Sequence, residues 1–202
     1  MTKIKLCGLT RPGEIEMANI LRPDYVGFVF APQSRRALSA ERATELRTLL
    51  SPGIRAVGVF VDERPEIVAR LLEGGVIDIA QLHGGEDAAY LRRLRAYTGA
   101  PVWKAVRVRA REDVRRAEAS GADLVLLDAG MGCGKAFDWD LAGAIHRPYL
   151  LAGGLSPENA SEAVRRLRPY GVDVSSGIET DGRKDNHKMA AFVAAVREAS
   201  RL

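Results

Sequence analysis

The feature that most limits how this chain can fold is a repeat. A short apolar stretch with strand character is followed by a helical segment, eight times over. The strand-like stretches fall at residues 3–7, 24–30, 54–60, 77–82, 102–106, 123–127, 148–151 and 171–174, roughly 24 residues apart on average. Helix starts are marked between them. Thr10 precedes Pro12, Ser39 precedes Ala40-Glu41-Arg42, and Ser156-Pro157-Glu158 sets a cap, a first-turn proline and an acidic residue in sequence. Asp138 is placed to cap a short helix from Trp139, and Asp185 a final one running to about Ser200. Strands alternating with helices pair in parallel through right-handed crossovers. Eight such units predict an α/β fold of one kind, a closed single-domain (β/α)8 TIM barrel covering residues 1–202. An open doubly wound sheet is the alternative. It usually has fewer strands, and no Gly-x-Gly-x-x-Gly follows the first strand to support its dinucleotide-binding form.

Composition narrows the function classes. No apolar run approaches the length of a membrane span, so no membrane partner is expected. The opening Met1-Thr2-Lys3-Ile4-Lys5 lacks the apolar core of a signal peptide, which points to a cytoplasmic protein. Two cysteines are too few for a disulfide scaffold, and no Cys/His cluster has metal-ligand spacing, so no metal site is expected. The net charge of +4 suits an anionic substrate or weak nucleic-acid binding equally. A nucleic-acid partner is not expected, because only 6% of residues are aromatic and no basic patch interleaves with them.

In such a barrel the active site forms where the strands end. The first strand carries Lys3, Lys5 and Cys7 on one face, ends in Cys7 and turns at Gly8. A thiol there is placed to act, although most free cysteines are small buried hydrophobes. Lys5, two residues back on the same face, would favour the thiolate. Asp128 closes the apolar run Leu124-Val125-Leu126-Leu127. It is either a loop-capping aspartate or a partly desolvated acid facing Cys7 across the mouth. The seventh and eighth units end in Gly153-Gly154 and Ser175-Ser176-Gly177. Two glycine-containing turns on adjacent strands, with hydroxyls and a short helix starting near Gly177, form the usual phosphate position of the fold.

These residues together resemble the phosphoribosylanthranilate isomerase family of tryptophan biosynthesis. The resemblance covers nearly the whole chain. It runs through Lys5-Leu6-Cys7-Gly8-Leu9-Thr10, Gly27-Phe28-Val29-Phe30-Ala31-Pro32-Gln33-Ser34-Arg35-Arg36, Val57-Gly58-Val59-Phe60-Val61, Gln81-Leu82-His83-Gly84 and Lys104-Ala105-Val106. It continues through Leu126-Leu127-Asp128, Phe137-Asp138-Trp139, Leu151-Ala152-Gly153-Gly154-Leu155 and Val172-Asp173-Val174-Ser175-Ser176-Gly177-Ile178-Glu179. It implies an Amadori rearrangement of N-(5-phosphoribosyl)anthranilate to the corresponding 1-deoxyribulose 5-phosphate. It further implies Cys7 as base, Asp128 as acid and Arg36 on the anthranilate moiety. Gln81, His83 and Asp173 would contact substrate, while Gly153, Gly154, Ser175, Ser176 and Gly177 hold its phosphate. No cofactor is implied, and the expected partner is a phosphorylated small molecule, with the chain a monomer or homodimer.

One stretch departs from the family pattern. After the sixth strand the family usually carries Gly-Gly-Thr/Ser-Gly, where this chain reads Gly130-Met131-Gly132-Cys133-Gly134-Lys135-Ala136. A disulfide between Cys7 and Cys133 is not expected in a cytosolic setting. The related phosphoribosyl aminoaldose isomerase of histidine biosynthesis resembles the chain less, because it places an aspartate where Cys7 stands. Indole-glycerol-phosphate synthase would need a catalytic lysine and glutamates that the early strands do not offer. A non-catalytic phosphate-binding barrel would have lost one of the two reactive groups, and both positions are occupied.

Overall fold

The computed structural model describes residues 1–128 and 139–201. Eight strands form a closed parallel barrel: β1 (Lys3–Cys7), β2 (Tyr25–Val29), β3 (Arg55–Phe60), β4 (Ile79–Leu82), β5 (Val102–Arg107), β6 (Leu124–Asp128), β7 (Tyr149–Ala152) and β8 (Gly171–Val174). Each pairs with the next, and β8 pairs back onto β1 in the register Lys3↔Gly171 to Leu6↔Val174. All eight expected stretches fall on strands, their ends displaced by two residues at most. The helices are α1 (Pro12–Leu21), α2 (Ala40–Thr48), α3 (Pro65–Glu73), α4 (Ala88–Tyr97), α5 (Arg111–Glu118), α6 (Trp139–Ala142), α7 (Ala160–Leu167) and α8 (Asn186–Ala199). After β8 comes a 3-10 turn over Ser176–Ile178, then a hairpin of β9 (Glu179–Thr180) and β10 (Arg183–Lys184).

Strand periodicity sorts the core into two layers. Ile4, Leu6, Val26, Phe28, Val125 and Val172 face outward and pack with buried helix residues such as Leu46, Val68, Leu94 and Phe192. Tyr25, Val57, Ile79, Trp103, Leu124, Leu126 and Leu150 point inward and fill the barrel floor, with Tyr25 and Trp103 edge to face at 4.9 Å. Above that floor, Cys7, Val29, Ala31 and Val59 form a smaller cluster toward the mouth. The barrel is packed below and open only where the strands end.

Local signals explain most helix starts. The Ser39 hydroxyl accepts from the Arg42 N–H, and the Asp185 carboxylate accepts from the His187 and Lys188 N–H groups. At α1 the cap is Arg11 rather than Thr10, because the Glu14 carboxylate reaches back to take both the Thr10 and Arg11 N–H groups at 2.6 and 3.2 Å. Ser156-Pro157-Glu158 makes a turn instead of a helix start, and α7 begins at Ala160. The Ser156 hydroxyl donates to the Glu158 carboxylate, while the Asn159 side chain takes the Ser156 N–H at 2.9 Å and donates to the Gly154 carbonyl. The expected cap at Asp138, the variant loop and Cys133 lie outside the described residues.

Replacing Phe192, fully buried on α8 against the outer layer, by alanine should cost about 3–5 kcal/mol. The midpoint of a urea unfolding curve checks this, with the denaturant slope unchanged.

Candidate active site

A cavity of about 310 Å³ opens at the C-terminal ends of the strands. Cys7 of β1, Gln81 of β4, Asp128 of β6 and Asp173 of β8 reach it from the inward strand faces. Arg36, His83, Gly153, Gly154, Ser175 and Ser176 line it from the loops above. Every residue nominated from sequence therefore converges on one space except Gly177, which sits behind the lining.

The thiol is built into the wall. Cys7 is buried, and a Cβ added to Gly27, its register partner on β2, would stand 2.6 Å from the sulfur. Gly27 is thus the gap that the thiol occupies. Burial pushes the Cys7 thiol up from its ordinary value more than the Lys5 ammonium draws it down, and Asp173 adds to the rise. The lysine acts in the expected direction, but desolvation outweighs it. Asp173, expected at the substrate, lines the cavity and accepts from Lys5 Nζ at 2.9 Å through Oδ1.

Across the mouth, Asp128 meets His83. Asp128 Oδ2 lies 3.1 Å from His83 Nε2, joining the ends of β6 and β4. One proton serves that contact, carried by either the imidazole nitrogen or the carboxyl. Such a pair holds the carboxyl group in place and gives it a neighbour with which to exchange a proton. Gln81 is 1% exposed, and its Oε1 has no hydrogen-bond partner among the described residues. A buried acceptor in a cavity wall calls for a donor from whatever fills the cavity.

The side of the cavity formed by the turns after β7 and β8 is shaped by backbone. Gly153 and Gly154 adopt φ of 83° and 69°, a conformation that side chains resist. Ser175 Oγ donates to the Cys7 carbonyl at 3.2 Å and so ties the loop after β8 to the end of β1. Gly177 makes the two loops meet, since a Cβ there would collide with the Leu155 carbonyl. Its contribution is steric: it lets the turn after β7 and the turn after β8 lie against each other.

Arg36 reaches the mouth by lying across Gly8, whose φ is 77° and whose missing Cβ would strike the Arg36 stem. Its Nε and Nη2 each donate to Glu179 at 2.6 Å in a two-pronged pair. Lys184 joins from β10, donating to Glu179 at 2.7 Å and to the Ser175 carbonyl at 2.8 Å. Glu179 and Lys184 were not singled out from the sequence. The usable signal was a charged pair that immediately follows a glycine-serine turn and immediately precedes the Asp185 helix cap. Among the described residues no three His, Cys, Asp or Glu side chains gather as a metal ion would need.

A closed eight-stranded barrel with a thiol, a carboxyl group and two glycine- and serine-bearing turns around one mouth is a (β/α)8-barrel enzyme in layout. Comparison with known proteins makes this specific. The sequence model of the N-(5'phosphoribosyl)anthranilate (PRA) isomerase family matches residues 4–195. The N-(5'-phosphoribosyl)anthranilate isomerase of Acetivibrio thermocellus is 44% identical over 98% of this chain and 97% of its own. The crystal structure of phosphoribosyl anthranilate isomerase from Thermotoga maritima superposes with a TM-score of 0.90 at 35% identity, covering 98% of this chain and all of that one. A further structure of this isomerase, in complex with reduced 1-(o-carboxyphenylamino)-1-deoxyribulose 5-phosphate, gives 0.87 at 34% identity, with the same coverage. The chain belongs to the N-(5'-phosphoribosyl)anthranilate isomerase family, and it is an enzyme of tryptophan biosynthesis.

Two outcomes follow from this geometry. Gly177→Ala should force the two turns apart and weaken binding of inorganic phosphate by about tenfold, read by calorimetry. The second concerns acid. Although burial opposes it, the Arg36 and Lys184 partners hold Glu179 down from its ordinary 4.5 to about 2. A lowered carboxylate stabilises the fold above its unfolded-state value and loses that contribution as pH falls. The melting temperature of the wild type should therefore drop between pH 4.5 and 2 more steeply than that of Glu179→Gln.

Proposed function

We propose that this chain converts N-(5-phosphoribosyl)anthranilate into 1-(2-carboxyphenylamino)-1-deoxyribulose 5-phosphate with Cys7 as base and Asp128 as acid. The observation that carries this reading is the placement of both groups, from strands β1 and β6, on one cavity whose third side is formed by the turns after β7 and β8. A relative binds a reduced product that has a phosphate at one end and an aryl carboxylate at the other. The cavity offers a matching pair of ends: the Gly153-Gly154 and Ser175-Ser176 turns for the phosphate, Arg36 for the carboxylate.

The chemistry then runs as follows. Asp128 gives a proton to the ribose ring oxygen while the anilino nitrogen pushes its lone pair toward C1, so the C1–O bond breaks and a protonated Schiff base forms. The Cys7 thiolate removes the C2 proton, and the C–H electron pair becomes the C1–C2 double bond as the iminium electrons return to nitrogen. The enol then gains a proton at C1 and loses one from its oxygen. Two protons are given and two taken, so the reaction is an isomerisation. His83 holds Asp128 toward the substrate, and the unpartnered Gln81 oxygen accepts from a substrate hydroxyl.

The same reading makes a phosphorylated small molecule the partner and excludes nucleic acid from that role. A cytoplasmic setting accords with it, and no helix among the described residues is long and apolar enough to cross a membrane. The chain would work as a monomer or homodimer; a relative from Thermotoga maritima is described as dimeric.

The direct test follows the loss of substrate fluorescence on adding purified protein to freshly made phosphoribosylanthranilate with EDTA present. Enzyme-dependent decay is expected. Cys7→Ser and Asp128→Asn should each lower kcat by roughly 10²–10⁴-fold and leave affinity for the reduced product nearly intact. Arg36→Ala should instead raise KM. Near-normal turnover in Cys7→Ser would remove the thiol from the mechanism, and an unchanged KM would remove Arg36.

A further inference from the structure

The cavity floor holds an ion pair that the reaction as drawn does not use. Lys5 and Asp173 are register partners across the β1–β8 seam, and Lys5 Nζ lies 2.9 Å from Asp173 Oδ1. The Lys5 side chain has no solvent exposure and that of Asp173 has 9%. Cys7 stands two residues above Lys5 on the same inward face. An ammonium has three protons to place; Asp173 takes one of them, and the Lys5 charge also acts on the Cys7 sulfur.

We propose that Lys5 and Asp173 are positioning residues, a buried counter-ion couple that sets the charge of Cys7 from below, with Asp173 acting through Lys5 rather than on the substrate. The inference rests on the reading of Cys7 as the base. The two halves of the couple oppose each other. Lys5 stabilises a negative sulfur, Asp173 opposes it, and Lys5 is itself held charged against burial by Asp173 and the sulfur. The other charges that face the sulfur are Lys184 from the β10 hairpin and Arg36 from the loop after β2. Both are engaged by Glu179, and β2 itself presents only Gly27. The thiol gives its proton to solvent before the cycle, and its sulfur lone pair then receives the C2 proton.

A neutral pair beneath the sulfur becomes a net charge when either member is removed. Lys5→Met leaves a lone carboxylate and should disfavour the thiolate. Asp173→Asn leaves a lone ammonium and should favour it. A role in packing alone would not move the two in opposite directions. The measurement is the pH dependence of Cys7 alkylation by iodoacetamide in the unliganded full chain, read on the Cys7 peptide by mass spectrometry, beside the acid limb of kcat/KM. Lys5→Met should raise the alkylation midpoint by about one pH unit or more, and Asp173→Asn should lower it by a similar amount. The kcat/KM limb should move with each.

No movement, or movement in one direction for both, overturns the proposal. Opposite movement of alkylation with an unmoved kcat/KM limb upholds the couple and overturns Cys7 as the base. Lys5→Met buries an unpaired carboxylate and is the variant at risk of not folding. In that event Asp173→Asn decides: a midpoint at or above wild type overturns the proposal. The double variant Lys5→Met/Asp173→Asn restores neutrality, and its midpoint should lie above that of Asp173→Asn alone. Weakening of reduced-product binding by tenfold or more in Asp173→Asn would make that carboxylate a ligand contact and overturn its assignment to Lys5.

Discussion

The pairing of β8 onto β1 is the contact on which the site depends. It joins residues about 168 positions apart in the chain and fixes three relations at once. Lys5 meets Asp173, the Ser175 hydroxyl reaches the Cys7 carbonyl, and the barrel loses its open edges. The seam is close because Gly171 has no side chain; a Cβ there would lie 2.9 Å from the Lys3 carbonyl oxygen and would also meet Leu150. Shifting the register by one residue would turn Asp173 outward and put Val172 or Val174 into the mouth. The Cys7 thiol and the Ser175 turn are therefore placed relative to each other by strand pairing.

Charge is organised around that seam in two groups. Lys5 and Asp173 cancel beneath the thiol, while Arg36, Glu179 and Lys184 leave one excess positive charge beside the Ser175 turn. Buried charges are costly unless paired and hydrogen-bonded, and these satisfy both conditions. Glu179 accepts from two side chains, and Lys184 reaches both that carboxylate and a backbone carbonyl. A site that must receive two anionic ends of one molecule gains from an excess cation already held in place, since little reorganisation is left for the moment of binding.

The layout was largely legible in the sequence because its carriers are local. Short apolar stretches in a repeating strand-helix pattern located all eight strands, strand-end position nominated Cys7 and Asp128, and paired glycine turns nominated the anion side. What escaped depends on relations between distant segments. The Lys5–Asp173 couple follows from barrel register, and no property of either residue alone announces it. Glu179 and Lys184 sit on a two-residue-per-strand hairpin too short for periodicity to mark. Ser156 carries every local sign of a helix cap, yet its hydroxyl donates to the Glu158 carboxylate and α7 begins only at Ala160. Gly177 was read as holding the anion, and only the folded structure reveals its further steric part, as the joint that lets one loop rest on another.

Gly8 has a wider consequence. It is the single residue after the thiol, and the Arg36 stem crosses the space where its side chain would be. The gap between the Cys7 sulfur and the Arg36 arm is thus gauged by bare main chain. Main chain in a strand-end turn cannot lengthen by a methylene as a side chain can. A chain of this design adapts to a different amine by changing what the arm carries, while the spacing from sulfur to arm stays the same ruler against which any new substrate is measured.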